Sequence, residues 1–141
     1  MEDRYLFKAK RVDNGEWVLG VLFDGENHCI IGQKTEISPY QTNECEIVGY
    51  EVDRNTICQC TGLRDKNGKL IWENDIVRDE YGNFYKAFWQ NNYYQFSFCA
   101  KTGVFPIGAK WNLWSFESFE IEVIGNIFDD KDLLESEEQY D

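Results

Sequence analysis

Pairs of residues that favour tight turns divide this chain into short apolar runs, and this spacing constrains its fold more than any other feature. No long segment repeats its apolar residues with a helical period. Such turn pairs tolerate the positive φ angles of hairpin turns, and short strands between them are typical of all-β proteins. The turn pairs are Asn14-Gly15, Asp24-Gly25, Asn67-Gly68 and Gly82-Asn83. We therefore predict an all-β, hairpin-rich fold.

The predicted strands lie between these turns and in the runs that follow them. They are Phe7–Val12, Trp17–Phe23, His28–Ile31, Glu46–Val52, Thr61–Lys66, Lys69–Trp72, Asp75–Arg78 and Glu117–Phe128. The polar segment Gln33–Glu44 contains Ser38-Pro39 and is predicted to be a loop. Near the C-terminus, Asp129 is placed to cap a short helix that holds Leu133 and Leu134.

One hairpin can be given a register from the sequence. A two-residue turn at Asn91-Asn92 sets three cross-strand pairs: Trp89 with Tyr94, Ala87 with Phe96, and Tyr85 with Phe98. All six side chains then share one face, because side chains alternate along a strand. Such aromatic pairs favour a packed sheet. The alternative is a platform that stacks single-stranded bases, but Lys86 is the only basic residue between Phe84 and Phe98.

The charge balance argues against binding to a phosphate backbone. The chain has 141 residues, with 26 acidic and 14 basic side chains and a net charge of −12. Segment Asp129–Asp141 holds seven acids and one lysine, which is half of that net charge. We interpret this segment as a solvated tail, and the alternative is an acidic mimic of DNA. No apolar run approaches the roughly 20 residues that span a bilayer, and the first residues lack a signal-peptide pattern. We expect no membrane partner and a cytoplasmic location.

The cysteines and the single histidine do not have the spacing of a known metal or nucleophile site. The five cysteines are Cys29, Cys45, Cys58, Cys60 and Cys99. A zinc site from His28, Cys29, Cys58 and Cys60 is the alternative, but structural zinc sites ordinarily use Cys-x-x-Cys pairs. We expect reduced, mostly buried thiols, a structural or exposed His28, and no cofactor. No residue is assigned as catalytic, cofactor-binding or metal-binding.

Three ordered motifs resemble the YopX family of phage and prophage proteins. The strongest runs from Gln59 to Val77, with the sequence QCTGLRDKNGKLIWENDIV. It is similar to that family's signature, in which an aromatic residue stands at position 60 and Gly at position 74. The N-terminal Phe7–Lys10 with Glu16–Gly20 resembles the opening hairpin of the family. The segment Glu122–Phe128 with Leu133-Leu134 resembles its closing segment.

The resemblance implies a mainly β protein encoded by a phage or prophage, with no activity to carry over. It also implies a structural signature at Gln59, Thr61, Gly62, Leu63, Asp65, Asn67, Gly68, Glu73 and Asp75. From the residues themselves we predict a bend at Gly62 and a positive φ at Gly68. The turn before Ile76-Val77 is analogous to turns in small SH3-like barrels. We expect an N-terminal β subdomain at 1–57, a YopX-type SH3-like or pseudo-barrel subdomain at 58–128, and an acidic helix or tail at 129–141.

Three functions from different classes compete. The first is a non-enzymatic accessory protein that forms a homo-oligomer or binds an unidentified phage or host protein. It rests on the resemblance and on 23 aromatic residues, more than a small barrel readily buries. The second is a small, metal-dependent enzyme that uses Glu73 and Asp75, with His28 as a further group. The third is a nucleic-acid-directed protein. The expected interface residues are Phe84, Phe88, Trp111 and Trp114.

Overall fold

The structure is a computed structural model that describes residues 5–36, 45–92, 94–100, 103–106, 121–130 and 132–133. The chain divides into two compact units, Met1–Gln59 and Cys60–Asp141. Strands dominate both units, and no helix of seven or more residues occurs among the described residues. The predicted all-β class is confirmed. The domain boundaries predicted at 57/58 and 128/129 stay predictions.

The first unit contains an antiparallel sheet. Its strands are β1 (Phe7–Lys10), β2 (Trp17–Asp24), β3 (Cys29–Glu36) and β4 (Cys45–Glu51). The order is β4-β3-β2-β1, and Phe7 and Lys8 of β1 also pair with Gln59 and Cys58 at the start of β5 (Cys58–Arg64). A short 3-10 helix, Arg54–Thr56, precedes β5.

One face of this sheet forms the core of the first unit. The buried residues are Ala9, Val18, Cys29, Ile31 and Val52, and Phe7, Leu22, Tyr50 and Ile57 pack against them. On β2, the core residues Val18 and Leu22 both have even numbers. This is expected when one face of a strand is buried, because successive side chains point to opposite faces. The odd-numbered residues of β2 therefore lie on the opposite face.

The prediction of a loop over Gln33–Glu44 is wrong for the first residues of that segment. Strand β3 continues through Glu36, and its polar end pairs with β4: Gln33 with Val48, Lys34 with Ile47 and Thr35 with Glu46. Backbone pairing with β4 satisfies this segment's hydrogen bonds, so a polar sequence remains extended there. Residues 37–44, including Ser38-Pro39, lie outside the described residues.

The second unit contains the end of β5 and six further strands. These are β6 (Leu70–Trp72), β7 (Asp75–Arg78), β8 (Phe84–Gln90), β9 (Gln95–Ala100), β10 (Gly103–Pro106) and β11 (Glu122–Asn126). Five of them form an antiparallel sheet in the order β10-β9-β8-β7-β11. In the part of the chain that the structure describes, no pairing joins the edge strands β10 and β11. The predicted small barrel is therefore not closed there.

A second core fills one face of this sheet. It consists of Ile71, Val77, Tyr85, Ala87, Phe98, Ile121 and Val123, with Leu63 packed against it. Leu63 and Ile71 belong to the β5–β6 hairpin, so that hairpin packs on the core face. Phe98 is fully buried between strands, with its ring centroid 6.4 Å from that of Tyr85.

The β8–β9 hairpin has the predicted face but not the predicted register. Trp89 pairs with Phe96 and Ala87 pairs with Phe98, so the partners are displaced by two residues from those expected. Gln90 pairs with Gln95, which leaves a four-residue loop in place of the predicted two-residue turn. Loops of two and four residues preserve the same alternation, and the apolar pattern therefore does not distinguish them.

The predicted C-terminal strand and the predicted short helix lie partly outside the described residues. Strand β11 covers Glu122–Asn126, and residues 117–120 of the predicted strand are not described. Residues 132 and 133 have helical backbone, and the rest of the predicted helix is likewise outside the described part.

Candidate functional site

The signature segment builds a hairpin that is organised by a buried carboxylate. Asp65 Oδ1 accepts the backbone N–H groups of Asn67 and Lys69, both at 2.9 Å. Asp65 Oδ2 accepts the N–H of Val123 in β11, also at 2.9 Å. Burial by itself disfavours the ionised form, but these three donors outweigh it and hold the pKa of Asp65 below its usual value. The group is thus a charged acceptor that ties the hairpin to β11.

The turn after β7 repeats the same geometry with a different sequence. Asp79 Oδ1 accepts the N–H groups of Tyr81 and Asn83 at 2.9 Å, as Asp65 does two and four residues ahead of itself. The glycines at the matching positions, Gly68 and Gly82, have φ of +81° and +85°. Asp at the first position and a left-handed Gly at the fourth are typical of a type I turn followed by a bulge. The positive φ predicted for Gly68 is therefore confirmed.

The second carboxylate oxygen, Oδ2, has different partners in the two turns. Asp79 Oδ2 accepts the phenol O–H of buried Tyr85 at 2.9 Å and the side-chain amide of Asn83 at 3.1 Å. Burial of Asp79 opposes its ionisation, yet the hydrogen bonds from Asn83, Tyr85 and Tyr81 keep its pKa below the usual value. Asp65 links two distant segments, whereas Asp79 anchors the core tyrosine.

The bend predicted at Gly62 is a bulge in β5. The β5–β6 register shifts between Cys60 and Arg64, and Gly62 has φ +82°. The Thr61 hydroxyl donates to the carbonyl of Ile71 at 2.8 Å and accepts the N–H of Leu63 at 3.2 Å. These contacts hold the bulge, and the bulge directs Leu63 onto the core of the second unit.

The acidic pair proposed for an enzyme lies in the turn between β6 and β7. Asp75 is buried and accepts the N–H of Trp72 at 2.8 Å, which closes the turn. Asn74 has φ +70°, and its N–H donates to the carbonyl of Ala87 at 2.7 Å. Glu73 is partly buried in the same turn. The geometry fits a structural turn, and no three His, Cys, Asp or Glu side chains converge on a metal site within the described residues.

The expected interface residues are only partly visible. Phe84 and Phe88 lie on β8 and are half-buried. Trp111 and Trp114 lie outside the described residues. Their role in an interface stays a prediction.

A more exposed apolar surface lies on the first unit, on the side of its sheet away from the core. We give the name outer face to nine of its residues: Leu19, Val21, Phe23, Ile30, Gly32, Lys34, Ile47, Gly49 and Glu51. The same side of the sheet continues through Trp17, with Lys8 Nζ and Lys10 Nζ at 4.8 Å and 5.4 Å from its ring centroid. The register places the outer-face residues in rows, with Val21, Gly32 and Gly49 in the middle row. Ile47 is 70% exposed and Phe23 is 55% exposed. Apolar patches of this kind on a protein surface usually mark interaction sites.

In the middle row of the outer face, Gly32 and Gly49 pair with each other and contribute no side chains. A Cβ at Gly32 would lie 3.0 Å from the ring of Phe23 and 3.4 Å from Ile47, and a Cβ at Gly49 would lie 2.9 Å from Ile30. The apolar side chains therefore lean over the glycines. This surface was not predicted from the sequence, although from Val18 to Phe23 no polar residue alternates with the apolar ones.

The sequence matches the protein-family model described as YopX protein over residues 6–135. This chain belongs to the YopX family. A search of curated proteins found no match to it. The family match covers both compact units, and it includes both Asp-centred turns.

Two positions, Asn74 and Cys60, depart from the signature that the sequence resembles, and the structure shows the surroundings of both. Asn74 stands where Gly is usual, and its positive φ is one that Asn tolerates better than most residues. Cys60 stands where an aromatic residue is usual and is fully buried. Its sulfur accepts the N–H of Gly62 at 3.4 Å within the bulge.

His28 and Cys29, the remaining groups considered for a metal or nucleophile site, both make local contacts. His28 Nδ1 lies 2.9 Å from Glu51 Oε1 at an exposed position. The Cys29 thiol donates to Asp24, and this hydrogen bond together with burial raises the pKa of Cys29 above its usual value. A thiol of this kind is a poor nucleophile at neutral pH.

An open cavity of about 490 Å³ in the first unit is lined by Lys10, Arg11, Cys29, Glu51 and Arg54, among others. Its arginines are paired: Arg11 with Asp13 at 2.6 Å and Arg54 with Asp24 at 2.8 Å. No helix among the described residues of this YopX protein is long and apolar enough to cross a membrane.

Proposed function

We propose that this YopX family member is a phage- or prophage-encoded accessory protein that acts in the host bacterial cytoplasm without catalysing a reaction. It works by self-association or by binding a phage or host protein. The observation that carries this proposal is the outer face, an apolar surface on a folded sheet. An antiparallel strand with one solvated face ordinarily alternates apolar and polar residues, and β2 does not.

The geometry of the acidic residues supports the same proposal. Asp65, Asp75 and Asp79 accept backbone N–H groups and hold turns, so their oxygens serve the fold. A metal-dependent or acid–base reaction would require carboxylates that converge on a shared space. The described acidic groups instead support a scaffold that presents a surface.

Co-purification of two tagged forms of the full chain tests self-association directly. Copies with two different affinity tags are expressed together, and one tag is used for capture. We expect the second tag to be recovered with the first, and to remain at about 1 M salt, where charge attraction is strongly screened. A monomeric mass by light scattering at about a few hundred micromolar, with no recovery of the second tag, would contradict self-association.

A further inference from the structure

We propose that two copies of this protein pack outer face against outer face, around a two-fold axis that runs across the strands through the Val21–Gly32–Gly49 row. This inference rests on the proposed self-association and adds its surface and its symmetry. The contact lies wholly on the first unit of each copy.

The shape of the outer face suits a second copy. Two sheets pack face to face when their facing residues form a continuous apolar layer about 10 Å thick. The outer face offers Leu19, Phe23, Ile30 and Ile47 on either side of its middle row, and Phe23, Ile30 and Ile47 cover the two glycines of that row. Because a two-fold contact uses the same patch twice, these side chains of one copy meet those of the other and form the apolar layer.

The charges at the ends of the outer face select the direction of the axis. Lys34 lies at one end, paired across the strands with Ile47, and Lys8 of β1 lies at the same end, paired with Leu19. Glu51 lies at the other end, paired with Ile30, and its Oε1 is 2.9 Å from Nδ1 of His28. Ile47 and Glu51 are four residues apart on β4, or about 13 Å at the usual rise of a strand. An axis across the strands reverses the two ends, so Lys34 of one copy comes near Glu51 of the other. An axis along the strands would instead place Lys34 opposite itself.

The nine residues of the outer face are fewer than the roughly 20–30 that each partner contributes to a standard interface. We therefore expect weak association, on the micromolar scale. The Lys34–Glu51 contacts lie at the rim, where they fix orientation more than affinity.

Charge reversal tests the symmetry. Dissociation constants are measured by sedimentation on the full chain for wild type, Lys34→Glu, Glu51→Lys and the double variant. We expect each single reversal to weaken association at least threefold, because like charges then meet twice per dimer. We expect the double variant to return to within about twofold of wild type. If the double variant associates more weakly than both single variants, the two-fold arrangement is overturned.

Loss of an apolar side chain tests the surface. Ile47→Ser removes the most exposed apolar side chain of the outer face and is expected to weaken association at least tenfold. Tyr81→Ser is the matched control, since Tyr81 is 82% exposed on the second unit. The control is expected to associate like wild type. Circular dichroism and thermal melting of each variant confirm that the fold is kept.

The outcomes separate the two proposals. If wild type does not associate at any concentration, the proposed self-association fails and this inference fails with it. If wild type associates but Ile47→Ser and both charge reversals leave the dissociation constant unchanged, self-association stands and the outer face is the wrong surface.

Discussion

The carboxylate of Asp65 accepts the backbone N–H of Val123 at 2.9 Å, across 58 residues of sequence. The same carboxylate closes the β5–β6 turn, so one side chain fixes both a local turn and a distant strand. Next to it, the N–H of Lys66 donates to the carbonyl of Ile121 at 3.0 Å. The strongest motif of the sequence is thus the point at which β11 is attached to the hairpin.

Asp65→Asn is expected to destabilise the protein at neutral pH by about 1–3 kcal/mol, because one carboxylate oxygen becomes an amide that faces N–H donors. The pKa of Asp65 is lowered in the folded state. Its contribution to stability is therefore present above the unfolded pKa of about 3.9 and is lost as pH falls through the folded value. Urea unfolding at pH 7 and at pH 3 measures this. The difference in the free energy of unfolding between variant and wild type should be smaller at pH 3 than at pH 7. An equal difference at both pH values would contradict the charged role of Asp65.

Gly68→Ala is expected to destabilise by about 1 kcal/mol through its positive φ. Crowding plays no part, since a Cβ at Gly68 would meet nothing within 4 Å. Gly68→Asn is the matched variant and should cost less, because Asn already occupies a left-handed conformation at position 74. Denaturant midpoints of the three proteins check the order glycine, asparagine, alanine. Equal stability of the alanine variant and wild type would contradict the scaffold role.

Much of the fold follows from the sequence because turn chemistry is local. Strand Asp75–Arg78 has the predicted bounds, and the Asn67-Gly68 pair lies in a hairpin turn as expected. The β8–β9 register was displaced by two residues, since alternation fixes the face and not the length of the loop. The polar end of β3 was missed because its stability comes from pairing with β4.

The outer face and the Asp65–Val123 contact were not predicted from the sequence, for a different reason. Each depends on which strands become neighbours, and residue spacing does not specify that. Phe23 and Ile47 lie 24 positions apart and share a face only through the β2–β3–β4 pairing. The apolar run of β2 was visible, but it is equally typical of a strand buried on both sides.

Tyr85→Phe is expected to destabilise by about 1 kcal/mol, because Asp79 loses the buried O–H donor at 2.9 Å. The pKa of Asp79 should then rise toward its ordinary value, since that hydrogen bond is one of those that lower it. Titration of the Asp79 carboxyl by NMR measures the rise. Tyr94→Phe is the control, because the Tyr94 side chain is 83% exposed. The free energy of unfolding of this variant should match that of wild type within about 0.5 kcal/mol. Identical Asp79 titration in Tyr85→Phe and wild type would contradict the assigned contact.

Sedimentation equilibrium of the full chain tests the central claim most directly. The chain is centrifuged from about ten to a few hundred micromolar, at about 0.1 M and 1 M salt, where the screening length falls from roughly 10 Å to 3 Å. An apolar contact between copies with a net charge of −12 predicts a mass that rises above 16.7 kDa with concentration and does not fall at high salt. A mass of 16.7 kDa at every concentration and both salts would contradict it.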